Sequence, residues 1–219
     1  MITWLTLKQQ ISGGFLKDPL YSKYDEDQLL WAVNDALVAL ASSYAGVVSV
    51  SDVVGDGTTT EWPLPSNVVE GRDRGVFGIR WTDGKTWLRE LDYQPGAAED
   101  STNTYAVWPT GTINLYAAPR SGTTFKLFYI AYYNRVEDDN SVIDIPDWAY
   151  EAVKCYVAAS VLAPSYAQQA LLGNYKKKRD SGNPEDNPQL RLSQYFLKRY
   201  HTICQQHPQE QYRRMGARR

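Results

Sequence analysis

The sequence predicts an α+β protein: a helical bundle interrupted by a β-rich insertion and followed by an extended basic tail. Apolar residues recur at helical spacing from Asp25 to Gly46, alternate with polar ones from Val47 to Tyr133, and return to helical spacing at Asp144. The implied divisions are an N-terminal segment with the first bundle helix (1–46), the β-rich insertion (47–140), core helices completing the bundle (141–207) and the tail (208–219). The insertion is long enough for a small sandwich or a partly closed barrel.

Met1 to Tyr24 holds scattered apolar residues and predicts a short helix around Thr6 to Ser12, which Gly13-Gly14 should stop. From Asp25 the signal sharpens. Leu29, Leu30, Val33, Ala36, Leu37, Leu40, Ala41 and Tyr44 fall on one helical face, Asp25, Glu26 and Asp27 suit the N-terminus, and Gly46 suits the C-terminal cap. Trp31 and Val38 make a smaller apolar stripe about a quarter turn away. That stripe is expected to pack on the N-terminal segment, with another subunit as the alternative partner.

After Gly46 the strands are rich in Val, Thr, Tyr and Trp and are separated by Gly, Pro and Asp-Gly turns. Gly55-Asp56-Gly57 precedes a Thr-rich strand that ends at Pro63 and Pro65. Asp83-Gly84 lies between Val76–Trp81 and Trp87–Leu91 and predicts a tight hairpin. Ile113–Tyr116 and Thr124–Ile130 follow, joined through Pro119 to Gly122.

Ile145 to Ala163 is apolar almost all round, the mark of a helix inside a core. Pro146 presets its first turn, and Asp144, Asp147 and Glu151 suit its exposed N–H groups. Trp148 is expected to be buried there, with its loss to Ala costing ~3–5 kcal/mol. At Pro164 the helix should kink or restart. It then runs to the basic stretch Lys176–Arg179, and residues 181–188 read as an exposed linker. The last helix, Gln189 to about Gln206, carries Ser193, Phe196, Leu197, Tyr200, Ile203 and Cys204 on one face, and Pro208 ends it. Leu30, Leu37, Trp148, Tyr156, Phe196 and Tyr200 are the expected core.

Composition narrows the function classes. The chain has 219 residues, 43% hydrophobic and 22% charged, with a net charge of -2, which argues against a protein built to grip nucleic acid. No stretch reaches the ~18 apolar residues of a membrane span, and the first ten residues lack a signal-peptide pattern, so synthesis and folding in the cytoplasm are expected. Cys155 and Cys204 are too few for a disulfide scaffold and read as small buried thiols.

Candidate chemistry is sparse. His201, Cys204 and His207 are three apart on one helix and with Cys155 imitate a zinc set, but the third residue swings away from the first, so no metal or other cofactor is expected. Glu137-Asp138-Asp139 lacks the glycine and distal glutamate of a calcium loop and reads as a solvated turn. Glu90 and Asp92 have no identified acid–base partner. No GxSxG, Walker-type loop or HExxH occurs, and no enzyme activity is expected. Lys176–Arg179 is more simply a solvated helix end than a phosphate grip. In the tail, Arg213, Arg214, Arg218 and Arg219 oppose only Glu210 and the terminal carboxylate, which suits docking on a partner.

Two parts of the sequence resemble structural proteins of tailed bacteriophages. Gly55-Asp56-Gly57-Thr58-Thr59-Thr60-Glu61-Trp62, Trp81-Thr82-Asp83-Gly84, Asp92-Tyr93 and Ala118-Pro119-Arg120-Ser121-Gly122 leading to Phe128-Tyr129 resemble a β-module of phage neck and tail components. Asp27–Ala36 and Pro146–Ala152 resemble the first and core helices of head-to-tail connector (adaptor) proteins, and the order helix, β insertion, helices, basic tail fits as well. The larger β insertion is more similar to the tail-tubular proteins of short-tailed phages than to small all-helical adaptors.

The resemblance implies a homo-oligomeric ring, typically a dodecamer, seated beneath the portal protein, contacting a downstream tail or neck protein and lining the channel through which double-stranded DNA passes. It places the protein in the virion neck, assembled in the host bacterial cytoplasm. On it, Tyr212 and Met215 would be apolar anchors and Arg213, Arg214, Arg218 and Arg219 charge-assisted contacts to the portal, while Trp31 and Val38 would lie at a subunit interface. The alternative is a tail fibre or baseplate component whose β-module Trp and Tyr bind host carbohydrate.

Overall fold

The computed structural model describes residues 1–69, 75–81, 88–90, 104–108, 111–177 and 188–207. Helix and sheet are both present, as an α+β chain requires, in two compact units. One consists of Met1–Tyr44 and the described residues from Tyr133 onward; the other is Ala45–Tyr132.

In the helical unit, β1 (Ile2–Thr3) pairs antiparallel with β9 (Val142–Ile143), and α1 (Trp4–Gln10) buries Trp4 and Leu7. Gly13-Gly14 does not stop this helix. The chain widens instead into a π-helical turn over Ile11–Phe15, closed by the Leu16 N–H on the Ile11 carbonyl at 3.0 Å. What ends it is Lys17, at φ 55, with the Asp18 N–H bonded to the Ser12 carbonyl.

Helix α2 (Glu26–Ser43) starts at Asp25, whose carboxylate accepts from the Asp27 N–H. It buries Leu29, Val33, Ala36, Leu37 and Leu40, and its last residue is followed by Tyr44, whose N–H reaches the Leu40 carbonyl; the glycine cap expected at Gly46 is not used. Helix α3 (Asp147–Lys177) packs on α2 and on α4 (Pro188–Gln206). This explains its all-round apolar sequence: Ala149, Ala152, Val153, Cys155, Val157 and Ala158 are fully buried. The helix continues past Pro164, although the ring removes the N–H that would bond four residues back. Among the described residues no helix is long and apolar enough to cross a membrane.

The β unit ends at Tyr132, earlier than the sequence boundary at 140. Residues 133–143 belong to the helical unit because their polar groups are spent there: the Val136 N–H and carbonyl both bond the Asn34 amide, and Asp139 binds Lys8. Within the β unit, β2 (Val47–Val54), β8 (Thr124–Ala131) and β4 (Val76–Trp81) form one antiparallel sheet in the order β2-β8-β4. A second has the order β3-β7-β6-β5, from Glu61–Pro63, Thr112–Leu115, Thr104–Val107 and Arg89–Glu90, with β5 and β6 parallel. Both sheets supply one core: Val76, Ile79, Phe125 and Leu127 from the first, Tyr105, Ile113 and Leu115 from the second. Neither sheet closes on itself among the described residues.

The hairpin expected around Asp83-Gly84 is described only at its base. The Leu88 N–H does donate to the Ile79 carbonyl at 2.9 Å, and those two residues are equidistant from Asp83-Gly84. Arg89–Glu90 then leaves β4 and pairs with β6 in the other sheet. The turn itself lies outside the described residues.

Candidate functional site

The outward side of α2 is the first candidate. Its inner face is held by the core leucines and valines, its start by the Lys8 ammonium on Glu26 at 2.7 Å, and its middle by Asn34 on Val136. The side opposite the core is thereby fixed toward the exterior of the chain, and on it lie Trp31, 69% exposed, and Val38, 49% exposed, with Asp27 and Asp35 beside them. The expected packing of Trp31 and Val38 on the N-terminal segment does not occur. That segment turns to the other helices instead: Phe15 meets Phe196 of α4 at 5.3 Å, and the Lys154 ammonium lies over the Phe15 ring. Sequence periodicity locates the stripe but not its partner.

The second candidate is the far end of the helical unit. Tyr200, almost fully buried, takes edge contacts from Tyr44 at 5.8 Å and Tyr156 at 5.1 Å, and burial pushes its phenol well up. Ser193 is buried with its hydroxyl donated to the Ala159 carbonyl, tying α4 to α3. His201 Nδ1 lies 2.9 Å from the Tyr44 hydroxyl, whereas His207 stacks on Trp148 at 4.7 Å and 11°. The two imidazoles therefore serve different aromatic partners, and no group of three or more metal-ligating side chains assembles among the described residues. Burial pushes the Cys155 and Cys204 thiols up to about 11, so both are thiols near neutral pH.

Of the expected core, Leu37, Phe196 and Tyr200 are buried. Leu30, Tyr156 and Trp148 are only half-buried, for a geometric reason. Leu30 falls on the flank of α2, between the core face and the outward stripe. Tyr156 touches Tyr200 by its ring edge, and Trp148 covers His207 at the edge of the helical unit rather than filling its interior.

The third candidate is a corner of the β unit. The Gly55 N–H donates to Thr123, the Gly57 N–H to Pro119, and the Gly122 N–H to Gly55, all carbonyl bonds of 2.8–3.0 Å. A Cβ at Gly55 would stand 2.6 Å from the Pro119 Cβ, so only glycine fits. The Asp56 carboxylate accepts the Thr58 and Thr59 N–H groups and the Thr59 hydroxyl, which replaces the expected Thr-rich strand by a capped turn until Glu61. Two stretches far apart in sequence, Gly55–Gly57 and Pro119–Gly122, thus form one backbone-bonded corner. The Trp62 and Trp81 rings both lie 6.0 Å from Phe125 of the core and nearly perpendicular to it.

Lys8 and Asp18 were not singled out by sequence, and Asp139 only as part of an acidic turn. The acidic turn 137–139, expected to be solvated, contributes Asp139 to a buried lysine. A lysine on the inner side of α1, between Leu7 and Ile11, is the one trace of this in the sequence. Tyr212, Arg213, Arg214, Met215, Arg218 and Arg219 lie outside the described residues, as do Lys178, Arg179 and Asp92; the side chain of Glu90 is likewise not described. Compared with family models and with curated proteins, the chain matches none.

Proposed function

We propose that this chain is a structural virion protein: a head-to-tail adaptor of a tailed bacteriophage that forms a ring under the portal, joins capsid to tail and lines the DNA channel. The observation that carries the reading is the outward stripe of α2. A large indole and a valine held in water by a rigid helix need a partner, and a second subunit answers that need. Support also comes from the division of the chain, in which helices from both ends form one unit and strands β2 to β8 form another, the order that adaptor proteins have. Two of the quoted β-module pieces, Gly55–Trp62 and Ala118–Gly122, meet at the Gly55–Pro119 corner, consistent with their belonging to one module.

In this reading the helical unit is the bundle and the two-sheet unit a sandwich-like insertion directed to the tail. The tail 208–219 leaves the end of α4 and docks on the portal protein through Tyr212, Met215 and the arginines. A downstream tail or neck protein and transient non-specific double-stranded DNA are the other partners, with a dodecamer as the working stoichiometry and the virion neck as location.

The test is truncation after His207 in a phage carrying this gene. The shortened protein should keep its helicity by circular dichroism yet fail to join portal-containing capsids. Normal incorporation would move portal docking to the folded units. A virion copy number matching neither the portal nor a sixfold tail would exclude the ring.

A further inference from the structure

Strand β2 is the edge of its sheet, and its ladder with β8 runs unbroken from Val47 opposite Ala131 to Val54 opposite Thr124. Two bonds fix which groups that ladder uses: the Gly55 N–H donates to the Thr123 carbonyl, and the Val69 N–H takes the Ile130 carbonyl on the far side of β8. By alternation, the odd-numbered residues of β2 turn their peptide groups to β8, and Val48, Val50, Asp52 and Val54 turn theirs outward. Nothing among the described residues takes those outward groups. The same residues have exposed side chains, Val50 at 49% and Val54 at 56%, so an apolar row accompanies the open backbone, with half-buried Phe128 and Ile130 of β8 beside it. The usual devices that blunt an edge are missing: β2 has no proline, no lysine and no bulge, and its one charge, Asp52, is held by Lys126 at 2.9 Å.

We infer that this edge is covered by the same edge of a second copy, the two β2 strands running antiparallel about a two-fold axis so that their sheets become one. A second copy is favoured because the other strand edges offer no match among the described residues. Leu88 already donates to Ile79 on the outer side of β4, β3 has three residues and ends in Pro63, and β1, β5 and β9 have two each. Opposite residues of an antiparallel pair share a face, which restricts the register. Val48 opposite Val54 of the second copy, with Val50 opposite its Asp52, engages every outward residue of both strands, each pair exchanging two bonds, and sets Ser51 against Ser51 on the axis. The two Asp52 carboxylates then lie diagonal to each other, each paired with its own Lys126. A shift of the register in one sense would set Asp52 directly on Asp52, and in the other would leave Val54 beyond the end of the partner strand. Each copy has one such edge, so pairing stops at a dimer. The inference goes beyond the ring reading and does not rest on it: it describes the free chain, whose open edge would otherwise pair indiscriminately.

Sedimentation of the full chain over a range of concentrations should show a monomer–dimer equilibrium. Val50→Pro removes an outward N–H and leaves the ladder to β8 in place, so it should weaken dimerisation about tenfold or more, the loss being repeated across the axis. Val48→Lys with Val54→Lys, and Val48→Glu with Val54→Glu, should each remain monomeric alone because like charges meet, whereas an equimolar mixture of the two double variants should dimerise. The replaced side chains are exposed in the single chain, and circular dichroism should find each variant folded. As a second readout, Ser51→Cys should oxidise to a covalent dimer, since facing residues of this kind stand roughly 4.5 Å apart, within reach of a disulfide. The native Cys155 and Cys204 are buried and do not compete. A wild-type chain that stays monomeric would overturn the proposal and leave the edge to an extended segment of another protein. Dimerisation indifferent to these substitutions, or a Ser51→Cys chain that forms no covalent dimer, would overturn it as well.

Discussion

Lys8 and Asp139, separated by 131 positions, meet at 2.7 Å inside the helical unit, and Glu26 closes on the same ammonium at 2.7 Å. One buried cation thus joins α1, the start of α2 and the segment that enters β9. Removing it as Lys8→Ala should destabilise the protein by about 2–3 kcal/mol, the worth of charge-assisted bonds whose carboxylates can rehydrate. Lys8→Met, which keeps the apolar stem, should cost less. Urea melts of both variants measure the difference. Burial opposes the Lys8 charge, but the bonds to Asp139 and Glu26 prevail and raise its pKa above 10.5. This contribution is complete below pH 10.5 and fades as pH rises through the raised value.

Asp18 governs the acid side. The Ser22 hydroxyl and the Lys23, Ser22 and Tyr24 N–H groups all donate to its carboxylate and, against burial, hold its pKa at about 2 rather than 3.8. Its stabilisation is therefore present above pH 3.8 and lost as pH falls through about 2. Asp18→Asn should lower the melting temperature at pH 7, and the gap from wild type should narrow steadily as pH approaches 2. A constant gap would show that the charge is irrelevant.

Aromatic truncations should rank by burial. Tyr200→Ala, at the junction of Tyr44, Tyr156 and Cys204, should cost ~3–5 kcal/mol. Trp148→Ala should cost about 1–2 kcal/mol, since the indole is half-buried and its defined contact is one stacked imidazole. Equal losses in denaturant titrations would contradict this ranking.

Gly55→Ala tests the β corner. Its methyl would press on the Pro119 Cβ and on the Pro119 and Arg120 carbonyls, so the β unit should lose about 1–3 kcal/mol while the helical unit is spared. Hydrogen exchange resolves the two: faster exchange in β2 and β8 with unchanged α3 is the expected pattern.

Much of the architecture is written in local pattern. The helical periods of α2, α3 and α4 and the alternation of β8, with Phe125, Leu127, Tyr129 and Ala131 inward, follow from side-chain geometry within each element. The stripe of Trp31 and Val38 is legible for the same reason, but it stands exposed opposite the filled face rather than a quarter turn away and packed on the N-terminal segment.

Only the tertiary structure decided which distant groups meet. Nothing local to Gly55 states that Pro119 will crowd it, and nothing local to Asp139 states that a lysine 131 positions earlier will require its charge. Asp83-Gly84 encodes a turn, yet the strand after it joins another sheet because β6 offers it a ladder there. Trp148 has the sequence of a core residue and a place at the edge, since burial depends on what the rest of the chain brings over a side chain. Amphipathicity is a property of a few consecutive residues and is carried by sequence; desolvation and charge pairing belong to contacts between remote ones, and they exist only once the chain has folded.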